Sequence, residues 1–186
     1  LLCEKGQTSA PFEVLVAVII MGFVIYVGLV AMGQLQEQTC VGTTDAGLEN
    51  LKTRIETVVS QKSPVNFTFS LSGCYDSKKE IVRITRWDDP VICADHCGSA
   101  KKLCVLLQYV NQTDKPYSIR KCLNISPDTL FQKQSSAGGR CDNLEDTGLL
   151  LEDFSANIRT GTYLLLNKSK IADTYPTICA YRKELK

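Results

Sequence analysis

Val14-Leu-Val-Ala-Val-Ile-Ile-Met-Gly-Phe-Val-Ile-Tyr-Val-Gly-Leu-Val-Ala-Met32 is a run of nineteen residues without a charge. Wound as an α-helix at 1.5 Å per residue, it measures about 28 Å, close to the hydrocarbon thickness of a bilayer. It is apolar on every face, whereas a helix lying on a soluble core keeps one polar side. The core of a signal peptide is shorter and ends on small residues before a cut. The run therefore predicts a helix that spans a membrane, permanently or until the protein is moved elsewhere.

Two features exceed what an anchor needs. Glu13 lies directly against the apolar run, where an unpartnered carboxylate at membrane depth costs up to a few kcal/mol. Gly22 and Gly33 stand eleven residues apart and share one face; Ala17 and Gly28 do the same on another. Small faces let helices approach closely, and more than one such face suits a helix surrounded by copies of itself.

Beyond Met32 the character changes. Gly33 to Thr39 is polar and helix-compatible, so the apolar helix is assigned to residues 11–39. Cys40-Val-Gly-Thr-Thr-Asp45 reads as a break, with Gly42 as a stop and Thr44 or Asp45 as the next N-cap. Leu48, Leu51, Ile55, Val58 and Val59 then recur at helical spacing, predicting an amphipathic helix over 46–61 that Pro64 ends. Phe67, Phe69 and Leu71 alternate with polar residues, as in a sheet with one wet face. Further strands are expected over 80–87, 103–110, 117–123, 162–167 and 177–182. Ser135 to Gly139 reads as a loop, and Asp142 to Ile158 fits helix or strand. The fold class is thus α+β: a long apolar helix followed by a mainly antiparallel β domain over 40–186.

Cysteine placement says where that domain lives. Cys3 precedes the apolar run; Cys40, Cys74, Cys93, Cys97, Cys104, Cys122, Cys141 and Cys179 follow it. An even set on one side of a membrane helix implies an oxidised domain outside the cell, the eight pairing among themselves in one of 105 ways. Sequons at Asn66, Asn111, Asn124 and Asn167 point the same way and predict N-linked glycans, although Pro127 directly follows the third.

Other chemistry is thin. Twenty-one basic residues against twenty acidic ones leave a net charge of +1. The pairs Lys78-Lys79, Lys101-Lys102 and Arg120-Lys121 are scattered, so no nucleic-acid partner is expected. Cys93-Ala-Asp-His-Cys97 with Cys104 has some metal-ligand character, but oxidised thiols outside the cell make disulfides the expectation, and no metal or cofactor is expected. Catalysis by a Ser-His-Asp or Cys-His arrangement would depend on His96, the single histidine. Asp88-Asp89 beside Trp87 precedes Pro90 and reads as a turn rather than a catalytic carboxylate pair. Without a nucleophile elbow, phosphate loop or metalloprotease motif, no enzyme is expected.

Lys5-Gly6-Gln7-Thr8-Ser9-Ala10-Pro11-Phe12-Glu13-Val14-Leu15 resembles the processing region of archaeal type IV-like pilins, the class III signal peptide pilins. Phe12 to Val18 also resembles the start of bacterial type IV pilins. In the archaeal pattern the glutamate falls two residues after the serine; here Ala10, Pro11 and Phe12 separate Ser9 from Glu13. The resemblance implies a leader or processing region over 1–10, with Gly6 and Gln7 as the candidate cleavage pair. It implies a helix that waits in the membrane and then packs in a filament core, where Glu13 neutralises a neighbour's N-terminal amine. Ala17, Gly22, Gly28 and Gly33 are then assembly residues. The implied function is a structural subunit of an extracellular filament on the cell surface, its partners being copies of itself and the membrane before assembly. The alternative is a single-pass surface binding protein, or a minor tip pilin or adhesin, with a disulfide-rich ectodomain.

Overall fold

The computed structural model describes residues 10–71, 80–98, 102–111, 118–132, 141, 149–151, 153–170 and 173–183. The fold is α+β: a long N-terminal apolar helix followed by mainly antiparallel sheets, with three disulfides whose two cysteines are both among the described residues. Helix α1 covers Ala10–Gln61. The chain divides into two compact units, up to Gly42 and from Thr43 onward.

In the first unit every described residue is helical, with Pro11 in the first turn, where its missing N–H breaks no helical bond. The expected break over 40–45 does not occur. Glycine within a helix costs only about 1 kcal/mol relative to alanine. The residues expected to cap a new helix have other roles: Thr44 is buried, and the Asp45 carboxylate meets Lys121 Nζ at 2.7 Å. The Thr39 hydroxyl donates back to the Leu35 carbonyl at 2.8 Å, a bond made within a continuing helix. Termination comes where expected, at Gln61, with Lys62 in the left-handed conformation (φ 54°) ahead of Pro64.

In the second unit the helical stripe does what its spacing implies. Leu48, Leu51, Ile55 and Val58 are at most 1 % exposed, and burying each such side chain is worth about 1.5–3 kcal/mol. They share one core with residues from two sheets, among them Phe67, Tyr163, Leu165, Val82 and Leu107. Gly47 allows residues 70 and 71 close to the helix: a β-carbon there would stand 3.3 Å from the Leu71 side chain.

The larger sheet joins β1 (Val65–Phe69), β7 (Gly161–Asn167) and β8 (Thr177–Lys183) in antiparallel order. Along the other edge of β8 lie β5 (Leu130–Gln132), parallel to it, and β6 (Leu149–Leu151), antiparallel. The smaller sheet is an antiparallel meander of β2 (Glu80–Trp87), β3 (Cys104–Asn111) and β4 (Ser118–Leu123). Ile84 N donates to Ser155 O at 2.9 Å and Ile158 N to Val82 O at 2.7 Å, tying β2 to the stretch that leads into β7. β1 shows the expected alternation, with Val65, Phe67 and Phe69 buried and Asn66 and Thr68 exposed. The ambiguous stretch 142–158 contains β6; its residues 142–148 and 152, like the expected loop Ser135–Gly139, lie outside the described residues.

Two elements were not expected, the short strand β5 and a helix. The sequence around Asp89-Pro90 is not a turn but the start of helix α2 (Pro90–Cys97). The Asp89 carboxylate accepts from the backbone of Val91 (2.8 Å) and Ile92 (3.3 Å), and Pro90 opens the helix, where it costs no hydrogen bond. Gly98, at φ 61°, closes it.

Candidate functional site

Among the described residues the first unit presents an exposed apolar surface. All side chains described from Phe12 to Thr39 are exposed, including Phe12 at 67 %, Val24 at 62 % and Leu35 at 62 %. The helix is long and apolar enough to cross a membrane, and none of its most apolar window is buried. Such a surface cannot remain in water: it is far larger than the apolar patches that soluble monomers expose.

Its details bear on what covers it. Glu13 is exposed in the first turn, where a negative charge suits the helix dipole. Ala17, Gly22, Gly28 and Gly33 all lie on this helix, and β-carbons added at the three glycines would meet nothing within 4 Å. At 100° per residue, Gly22 and Gly33 share one face, and Ala17 and Gly28 another. Gly6 and Gln7 lie outside the described residues.

The second unit is covalently stapled. Cys93–Cys104 and Cys97–Cys122 clamp α2 to β3 and β4, and Cys141–Cys179 reaches the middle of the larger sheet. All three cysteines of the metal-like cluster are thereby oxidised. Their loops of 11, 25 and 38 residues are of the size for which cross-linking adds about 3 kcal/mol each, chiefly by restricting the unfolded chain. Cys40 is disulfide-bonded as well, while Cys3 and Cys74 lie outside the described residues.

Around the α2 clamp, the Arg120 guanidinium stands 5.6 Å from the centre of the Trp87 ring and 3.2 Å from His96 Nε2. Elsewhere, Lys121 on β4 bonds Asp45 and lies 3.5 Å from Glu49. The Asp45 hydrogen bond, helped by the negative charge of both carboxylates and opposed by burial, holds the Lys121 ammonium above the usual lysine range. A hollow of about 380 Å³ between the sheets is floored by Ile84, Val105 and Phe131, with the Arg86–Asp128 ion pair and Tyr175 in its lining.

The four sequons differ in presentation. Asn66 and Asn124 are exposed, Asn111 is buried at the end of β3, and Asn167 is half-buried at the end of β7. The backbone of Asn124 donates to Glu56 Oε1 at 2.6 Å, leaving its side chain outward. Sequence reasoning missed the role of Asn167, whose side chain bonds the end of α1. No local sequence signal discloses it, because the bonded residues stand 109 and 108 positions apart. Compared with known protein families, curated proteins and solved structures, the chain matches none.

Proposed function

We propose that the chain is a structural subunit of an extracellular type IV-like pilus filament of the archaeal kind. The observation that carries this reading is the apolar surface of α1 from Phe12 to Leu35, exposed on every face and joined to a disulfide-rich β domain. Lipid covers that surface before assembly, and equivalent helices of neighbouring subunits cover it afterwards. The hydrophobic effect does not distinguish those two states, because neither wets the helix. Dispersion contacts do, and the small faces at Gly22/Gly33 and Ala17/Gly28 bring backbones close enough to make them. Glu13 then pairs with the N-terminal amine of a neighbour. The role is structural: copies of the chain and, before assembly, the membrane are its partners, and the domain faces outward with N-linked glycans.

Electron microscopy of material sheared from the cells that make the protein tests this reading. Filaments labelled along their length by antibody to the ectodomain are expected. Membrane-bound monomer alone would favour the second reading, a single-pass surface binding protein or tip adhesin. The hollow beside Arg86, Asp128 and Tyr175 is the feature that supports that alternative.

A further inference from the structure

Asn66 and Asn167 carry the same sequence signal in opposite settings. Asn66 lies in β1, the terminal strand of its sheet, with its side chain on the exposed face between buried Val65 and Phe67. Thr68, which completes the sequon, is exposed on the same face, two residues along the strand. Among the described residues no group holds the Asn66 amide.

Asn167 is held from every side. Its Nδ2 donates to the carbonyls of Val58 at 3.2 Å and Val59 at 3.4 Å. These are two of the four carbonyls that the last turn of α1, ending at Gln61, leaves without a helical donor. Its Oδ1 accepts from the Ser169 backbone at 3.0 Å and from the Ser169 hydroxyl. Two N–H groups and two lone pairs are all a carboxamide has, so the side chain is fully committed. The Ser169 hydroxyl also accepts from Thr177 N at 2.9 Å, and the Thr68 hydroxyl stands 3.3 Å from that of Thr162, so the two sequons differ in their asparagines and not in their hydroxyls.

We propose that Asn66 is an N-glycan acceptor, and that Asn167 is a helix cap that carries no sugar. At Asn66 the amide nitrogen displaces the phosphate of a lipid-linked sugar donor. A bond forms from Nδ2 to the sugar C1, the C1–O bond to phosphate breaks, the lipid phosphate leaves, and the amide loses one proton to the transferring enzyme. At Asn167 the same step would remove a hydrogen that caps α1 and put a saccharide where the helix ends. The inference requires the domain to face the cell exterior and does not depend on polymerisation.

Peptide mass spectrometry on protein from the cells that make it is the test. The Asn66 peptide should carry sugar and the Asn167 peptide should have its bare mass. Thr68→Ala should abolish the sugar on Asn66. Asn167→Gln should leave the total sugar unchanged and lower the unfolding midpoint by several degrees, since the longer side chain loses the cap geometry. Should that variant fail to fold, Ser169→Ala destroys the sequon while sparing the bonds to Val58 and Val59, and should also leave the sugar unchanged. Sugar on the Asn167 peptide, a bare Asn66 peptide, or an unchanged midpoint for Asn167→Gln would overturn the proposal.

Discussion

The two stretches of α1 share one backbone geometry and differ in everything their side chains meet. From Phe12 to Leu35 the large apolar side chains are 38 to 70 % exposed; at Leu48, Leu51, Ile55 and Val58 they are at most 1 % exposed. The first stretch is apolar all round, and its side chains are exposed among the described residues. The second is apolar on one stripe, and two sheets cover that stripe. Hydrophobicity alone therefore does not place a residue in a core: the pattern decides whether the partner is internal. A stripe implies a partner within the same domain, whereas an unbroken apolar cylinder implies a partner outside it.

Substitutions that treat the two stretches alike should have unlike effects. The largest is expected for Gly22→Leu or Gly28→Leu. Either should abolish filaments while the ectodomain stays folded and the monomer stays in the membrane, because leucine suits lipid at least as well as glycine. Electron microscopy with thermal unfolding of the ectodomain would show both halves of that outcome. Normal filaments from both variants would break the proposed packing.

Next comes Leu51→Ala, which opens a cavity in the shared core and should cost about 2–5 kcal/mol by urea unfolding in detergent. Leu29→Ala, the same change in the first stretch, should alter ectodomain unfolding by less than about 0.5 kcal/mol. Equal effects would erase the distinction between the stretches.

The smallest effect is electrostatic. Asp45 raises the Lys121 pKa in the folded state, so the pair's stabilisation is complete below the unfolded lysine value, about 10.4. It is then lost as pH climbs through the higher folded value. Unfolding midpoints should fall above about pH 10, and Lys121→Met should flatten part of that fall. Asp45 and Glu49 are nearly half-exposed, so the neutral-pH cost of the variant should stay under about 1 kcal/mol.

What the sequence disclosed follows from how local each signal is. The apolar run, the stripe from Leu48 to Val58 and the alternation in β1 are periodic within one element, and the structure has an element at each. β5 and β6 have three residues each, too few for any period, and only pairing with β8 makes them strands. Helix α2 has a single fully buried residue, Cys93, so it lacks an apolar stripe. Bonds to cysteines 11 and 25 residues away hold it in place. The break expected at Gly42 failed for the opposite reason, since real local stop signals were outweighed by the roles of Thr44 and Asp45 in the domain. For the exposed apolar surface of α1, composition was enough to locate it. The cap made by Asn167 joins residues 109 and 108 positions apart, and no reading of Asn-Lys-Ser reveals that.

The overlapping bonds Cys93–Cys104 and Cys97–Cys122 also bear on survival among proteases. Any one peptide bond hydrolysed between Cys93 and Cys122 is bridged by at least one of them, so a single nick releases no fragment. Cys141–Cys179 gives the same protection to the stretch it spans. Within these stretches the domain takes a single cut without losing mass, and only a second cut in the same stretch frees a peptide.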